Sequence, residues 1–243
     1  MILGAHQPNY LPWLGFFDKM LQSDVFVISD NLQFERHDFQ NRNQIKTPQG
    51  TKWLTVSVKH DGNGNLMPIN EIKIANHNNL PGLKRHWETL KANYVRAPYW
   101  KEYKDFFESA YQQEWTMQVD LNMHLIEGLR KFLNINTPLI KSSSLSATGQ
   151  NSELIIAQCK ELGADMYLSG VGAKSYLNFE RFREEGIEVR FQDFQHPVYN
   201  QLHGEFVPNL SAVDYLLCTG GKMWRTRALR SKTPCKACQA GDT

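Results

Sequence analysis

The chain opens on a short apolar block, Met1-Ile2-Leu3, that runs into His6. Residues 1–6 read as a strand. Residues 12–22, Pro-Trp-Leu-Gly-Phe-Phe-Asp-Lys-Met-Leu-Gln, read as a helix with Pro12 in its first turn. Ser23-Asp24 breaks that helix. Val25-Phe26-Val27-Ile28 is then continuously apolar, the pattern of a strand covered on both faces. The opening is thus a βαβ unit.

Beyond it the periodicity lapses. Residues 31–50 are polar and aromatic with no clear repeat, a loop long enough inside a compact domain to be functional. Residues 52–59 alternate as a strand. Asp61-Gly62-Asn63-Gly64-Asn65 reads as a turn and Ile72-Lys73-Ile74 as a short partner strand. Leu83, Trp87, Leu90 and Tyr94 fall at helical spacing, and 80–133 is expected to be helical, broken at Ala97-Pro98-Tyr99-Trp100. A strand from Leu139, a helix over 152–162, strands at 166–168 and 186–191, and a helix over 211–218 complete the pattern. Ser211 is the expected N-cap of the last helix, with Asp214 three residues on as in a capping box. The expected fold class is α/β: a parallel-type, Rossmann-like sheet with flanking helices, plus the helical segment around 80–133. Residues 1–220 form one domain carrying that segment as an insert. Residues 221–243 form a basic tail.

Composition narrows the class. Of 243 residues, 41% are hydrophobic and 21% charged, as in globular proteins. A net charge of +2 does not advertise a nucleic-acid partner. No stretch approaches the apolar length of a membrane span. The first apolar run lacks a basic segment before it, so no signal peptide is expected and a cytoplasmic location is. Cys159 falls inside an expected buried helix, which suits a reducing compartment. Cys235-x-x-Cys238 is half a metal motif without a second half, and no metal site is assigned. Aromatics at 12% suit stacking on a sugar as well as core packing.

Four constellations could carry chemistry. The first is His6-Gln7-Pro8-Asn9-Tyr10 with Trp13, at a strand end held rigid by prolines. A histidine there can stabilise a phosphate or developing charge, or it is a structural histidine beside a turn. The second is Asp30-Asn31 with Arg42, Asn43 and Lys46. A local helical turn would align Arg42 with Lys46 for a diphosphate or carboxylate. The third is the turn Ser169-Gly170-Val171-Gly172-Ala173-Lys174, whose glycines and lysine suit phosphate, though it is not a Walker A loop. The fourth is His196, either a general base or a loop histidine packed on Pro197.

The order strand, His-x-x-Asn, helix, strand resembles the opening of the nucleotidyl-transfer superfamily, which includes pantothenate synthetase and the class I aminoacyl-tRNA synthetases. There a His-x-Gly-His or His-x-Gly-Asn turn binds ATP phosphates. Here Pro8 replaces the glycine and Asn9 the second histidine. A wider resemblance is to the WbqC-like family. It rests on His6 through Lys19, on Ser23-Asp24-Val25-Phe26-Val27, on Gln40 through Lys46, on Trp53-Leu54-Thr55-Val56 and on Ala97-Pro98-Tyr99-Trp100. It continues through Tyr167 to Ala173 and Phe194-Gln195-His196-Pro197 to Leu210-Ser211. That family is associated with O-antigen and other surface-polysaccharide loci. The resemblance therefore implies work on a sugar or sugar nucleotide but transfers no catalytic residue.

The two resemblances together lead to an expected enzyme of surface-polysaccharide biosynthesis. It would form an amide on a nucleotide-linked amino sugar, using a small carboxylate such as glycine, or another acyl donor, and ATP with magnesium. No tightly bound cofactor is expected. In that scheme His6, Asn9 and the turn of Ser169, Gly170, Gly172 and Lys174 bind the ATP phosphates, and Arg42 and Lys46 hold the diphosphate or carboxylate. Gln7, Tyr10, Trp13, Asn31 and Asn43 are further expected substrate- or cofactor-binding residues. His6 steadies the transition state, and Asp30 or His196 takes a proton from the amine. A metal-independent glycosyltransferase and a non-catalytic scaffold remain the alternatives. No Asp-x-Asp motif points to a metal-dependent glycosyltransferase.

Overall fold

The computed structural model describes residues 1–59, 67–75, 82–175 and 177–222. The expected turn at 61–65, Tyr176, and the tail with Cys235 and Cys238 from residue 223 onward lie outside the described residues. In chain order the main elements are β1 (Ile2–His6), α1 (Leu14–Leu21), β2 (Val25–Ile28), β3 (Arg42–Thr47), β4 (Gly50–Thr55), α2 (Gly82–Tyr94), α3 (Trp100–Gln112), α4 (Gln118–Phe132), β5 (Leu139–Lys141), α5 (Asn151–Leu162), β6 (Met166–Ser169), α6 (Phe179–Glu184), β7 (Glu188–Phe191) and α7 (Ala212–Thr219). None of the described helices is long and apolar enough to cross a membrane.

Five strands form one parallel sheet in the order β5-β2-β1-β6-β7. The continuous apolar run of β2 has a direct cause. Phe26 and Ile28 face a core shared with α1, α2, α3, α4 and α7. Val25 and Val27 face the opposite core, shared with α5, α6 and Tyr167. All four side chains are fully buried, and each such burial contributes about 1.5–3 kcal/mol. The α/β expectation with a parallel sheet and flanking helices is met. Close helix–sheet packing needs Gly4: a Cβ there would stand 2.2 Å from Ser23 Oγ and 2.9 Å from the Phe26 ring.

The chain lays β2 and β5 on one side of β1, then returns to lay β6 and β7 on the other. Numbered among the five parallel strands, the order is 3-2-1-4-5. The direction reverses between β1 and β6, and open α/β sheets bind ligands outside the carboxyl ends of the strands at such a point. β1 and β6 pair through Ile2↔Met166, Leu3↔Tyr167 and Gly4↔Leu168, and no farther. Their carboxyl ends therefore part after Gly4 and Leu168.

Several local expectations need correction. Residues 42–47 are not loop but strand β3, paired antiparallel with β4 from Arg42↔Thr55 to Thr47↔Gly50. Ile72-Lys73-Ile74 partners the expected 52–59 strand only at its end, through the Val58↔Ile74 bridge and backbone bonds from Lys59 to Lys73 and from Ala75 to Ser57, each 2.8 Å, while Lys73 also bridges Met117. Pro12 lies outside α1, because Trp13 is the N-cap and the helix starts at Leu14. Ser211 does cap α7, accepting from the Val213 amide at 3.3 Å. Asp214 does not complete a capping box, since its carboxylate is turned into the core toward two tyrosines.

Candidate functional site at the carboxyl edge of the sheet

His6 ends β1 at the parting of β1 and β6. Its Nδ1 lies 3.1 Å from the Gln7 carbonyl oxygen, which can only accept. Nδ1 therefore carries the proton in the neutral ring, and Nε2 carries the lone pair. Burial, with the nearby Lys19 charge, pushes the His6 pKa down to about 3. The ring stands edge-on to Phe16 at 5.1 Å. A neutral imidazole with a pKa this low can accept a hydrogen bond at Nε2, and it becomes an effective base only where a bound anion raises its pKa. It is less suited to hold a phosphate, the role the resemblance implied.

Lys19 lies in the last turn of α1. Helical side chains lean toward the helix N-terminus, so its stem runs back toward the carboxyl edge of the sheet. Its Nζ donates to the Ala5 carbonyl at 2.7 Å. That carbonyl is one residue beyond the last β1–β6 pair. The residue is 4% exposed, and burial pushes its pKa down to about 7. No salt bridge of Lys19 occurs among the described residues. Across the crevice, Ser169 is fully buried at the end of β6, and a Cβ on Gly170 would come 3.9 Å from Lys19 Nζ. His6, Lys19, Ser169 and Gly170 thus meet at the switch point.

A second group of polar side chains packs behind the Pro8-Asn9 turn. Asn122 Nδ2 donates to the Pro8 and Gln40 carbonyls, both at 2.7 Å, and Gln118 Nε2 donates to Asn122 Oδ1 at 2.8 Å. Asn9, Gln40, Gln118 and Asn122 are all buried. Asn9 Oδ1, Gln40 Nε2 and Gln118 Oε1 have no hydrogen-bond partner among the described residues. Buried polar atoms are nearly always paired. Unpaired amide atoms in one network mark a place that can take a neutral polar group.

Other expected site residues are occupied in holding the fold. Tyr10 is fully buried, with its hydroxyl 2.7 Å from both His86 Nδ1 and the Tyr111 hydroxyl. Asn43 Nδ2 donates to the Leu11 carbonyl at 2.7 Å. Lys46 donates to Gln201 Oε1 at 3.0 Å, to the Gly204 carbonyl at 3.4 Å and to the Glu205 carbonyl. Arg42 does not share a helical turn with Lys46, since both lie on β3. Its guanidinium sits 4.4 Å over the Trp53 ring and donates to the His37 carbonyl. Asp30 accepts from the Ser143 amide at 2.9 Å and its hydroxyl at 2.7 Å, tying the end of β2 to the turn after β5. Asn31 is exposed.

The turn after β6 is the short 3₁₀ helix Val171–Ser175, in which a Cβ on Gly172 would meet nothing within 4 Å. Lys174 is exposed, its Nζ 4.8 Å over the Phe191 ring. His196 lies among Phe194, Tyr199 and Phe206 with Nδ1 3.0 Å from the Pro197 carbonyl, and burial lowers its pKa. Trp13 joins this aromatic group through Phe194 at 5.3 Å. Gly15 leaves room for its indole, which an added Cβ would approach to 2.3 Å.

Sequence reading missed Lys19, Gln40, Gln118 and Asn122. The signal for Lys19 was present: Asp18-Lys19 interrupts a helix whose residues from Leu14 to Met20 are all buried. Asp18 is held by Gln22 and Gln192, each at 2.6 Å, while Lys19 points elsewhere.

The strand order and the end of β1–β6 pairing define an α/β protein with a topological switch point between β1 and β6. A model described as the WbqC-like protein family matches residues 7–226, and the chain belongs to that family. The uncharacterized protein Rv1507c of Mycobacterium tuberculosis is 34% identical over 218 residues, covering 89% of this chain and 93% of that protein. No solved structure matches this chain.

Proposed function

We propose that this protein is an amide-forming enzyme of surface-polysaccharide biosynthesis, acting on a nucleotide-linked amino sugar at the β1/β6 crevice. One observation carries the reading: a neutral histidine, His6, stands at the topological switch point with no hydrogen-bond partner on Nε2 among the described residues. In the reaction, a carboxylate oxygen displaces pyrophosphate from the α-phosphorus of ATP. The sugar amine then attacks the acyl carbon. The C–N bond forms as the bond to AMP breaks, and the amine proton passes to His6 Nε2. Magnesium enters as the ATP complex, as part of the substrate. Asn9, Gln40 and Gln118 supply two acceptors and a donor for neutral polar groups of the sugar. Asp30 and His196 leave the scheme, Asp30 because Ser143 engages both its oxygens.

The test is incubation of the purified protein with magnesium-ATP, glycine and a dTDP-linked 4-amino-4,6-dideoxyhexose, followed by mass spectrometry. AMP, pyrophosphate and a glycyl amide, each requiring both co-substrates and lost in His6→Ala, are the expected products. Sugar transfer without ATP use would establish the glycosyltransferase instead. Binding of the sugar nucleotide with no turnover under any donor would establish the scaffold.

A further inference from the structure

Lysine ammonium carries three N–H donors. In Lys19 one goes to the Ala5 carbonyl at 2.7 Å, and no other acceptor engages Nζ among the described residues. The side chain is 4% exposed, so water does not readily replace what the protein omits. A buried cation in that state is unfavourable unless something else completes it. The position is specific: Ala5 is the first residue of β1 beyond its pairing with β6, and Gly170 on the far side offers no side chain. Lys174, the cation expected of this turn, lies exposed over Phe191. His6 is neutral, so Lys19 supplies the positive charge at this point.

We propose that Lys19 is the anion anchor of the crevice, pairing its ammonium with a phosphate or carboxylate oxygen of the substrate laid across the ends of β1 and β6. The proposal rests on the crevice being the site of the reaction above, and it adds the group that holds the charged part of the substrate. A charge-assisted bond to an oxyanion supplies what the ammonium lacks. The bound anion in turn favours the protonated amine.

The experiment is calorimetric titration of inorganic pyrophosphate, and separately of glycine, into the full-length protein and Lys19→Met. The Lys19 amine is followed by NMR in parallel. Methionine keeps the buried stem and removes the charge. Lys19→Met is expected to stay folded and to bind the active anion about 10- to 100-fold more weakly. The Lys19 titration midpoint is expected to rise by about 1–3 pH units with that anion at saturation. A response to pyrophosphate assigns the anion to a phosphate group, and a response to glycine alone assigns it to the carboxylate. Equal binding by both proteins, or a midpoint that neither anion moves, overturns the proposal. So does a Lys19→Met protein that melts well below the parent without any anion, because Lys19 would then be holding the fold. Lys19-dependent pyrophosphate binding without amide product would keep the anchor and remove the proposed reaction.

Discussion

Lys46 and Lys19 are both buried, at 2% and 4% exposure, and they are buried in opposite ways. Lys46 reaches from β3 to three acceptors on the 201–205 segment. Beside it Asp214, fully buried, accepts the hydroxyls of Tyr94 and Tyr199, each at 2.7 Å. Every charged group in that knot has its complement within the chain. At the crevice Lys19 has one backbone acceptor and a neutral histidine for a neighbour. Completed polar groups hold structure, while incomplete ones leave work for a ligand.

The comparison breaks most visibly at Asp214. Replacing it by alanine leaves two tyrosine hydroxyls without their acceptor and removes the negative charge near Lys46. A loss of about 3–5 kcal/mol in urea unfolding is expected. A loss under about 1 kcal/mol would mean that the knot does not hold α7 to α2 and β3.

The crevice shows itself through pH. The folded Lys19 pKa is about 7 against an ordinary lysine value of 10.5. Between those values the unfolded chain binds more protons than the folded one, so stability rises with pH across that window. Between pH 7.5 and 9 the wild type should gain stability over Lys19→Met at up to about 1.4 kcal/mol per pH unit. His6 and His86, pushed down to about 3 and about 4 by burial, act in the same direction at lower pH. Their contribution is full above about pH 6.5 and is lost as pH falls toward 3–4. Parallel pH profiles of wild type and Lys19→Met would mean that the amine is not buried as a charge.

Two smaller effects sharpen the boundary of each region. Gly4→Ala pushes a methyl group into Ser23 Oγ and Phe26, where α1 and β2 meet β1. A loss of about 1–3 kcal/mol is expected from thermal unfolding. Arg42→Ala, which removes a guanidinium from the half-exposed Trp53 ring, should cost about 0.5–1 kcal/mol and leave pyrophosphate binding unchanged. Weaker pyrophosphate binding in Arg42→Ala would move the anion site toward the β3–β4 hairpin.

What could be read beforehand follows the same division. The βαβ opening was legible because β2 is apolar on both faces and α1 carries a continuous apolar surface. The candidate place of the site could be named too, since His6 closes β1 at a proline-fixed turn. Strand β3 was hidden because its buried positions include Asn43 and Lys46, which satisfy carbonyls elsewhere in the fold. Their polarity erases the alternation that marks a strand. Arg42 and Lys46 looked like ligands for the same reason, as sequence cannot tell a cation that closes a loop from one that waits for an anion. Gln40 and the α4 pair Gln118 and Asn122 come from distant parts of the chain, and only the packing of α4 on the Pro8-Asn9 turn unites them.

The most direct measurement is equilibrium urea unfolding at pH 6 of Lys46→Met and Lys19→Met beside the wild type. Lys46→Met is expected to lose about 2–4 kcal/mol, because it strips the Gly204 and Glu205 carbonyls of their donor and leaves Gln201 Oε1 with the Val207 amide alone. Lys19→Met is expected to hold steady or gain up to about 3 kcal/mol, because it removes a charge the fold does not complete. Equal losses in the two variants would contradict the account, placing Lys19 among the groups that build the fold rather than those that serve the site.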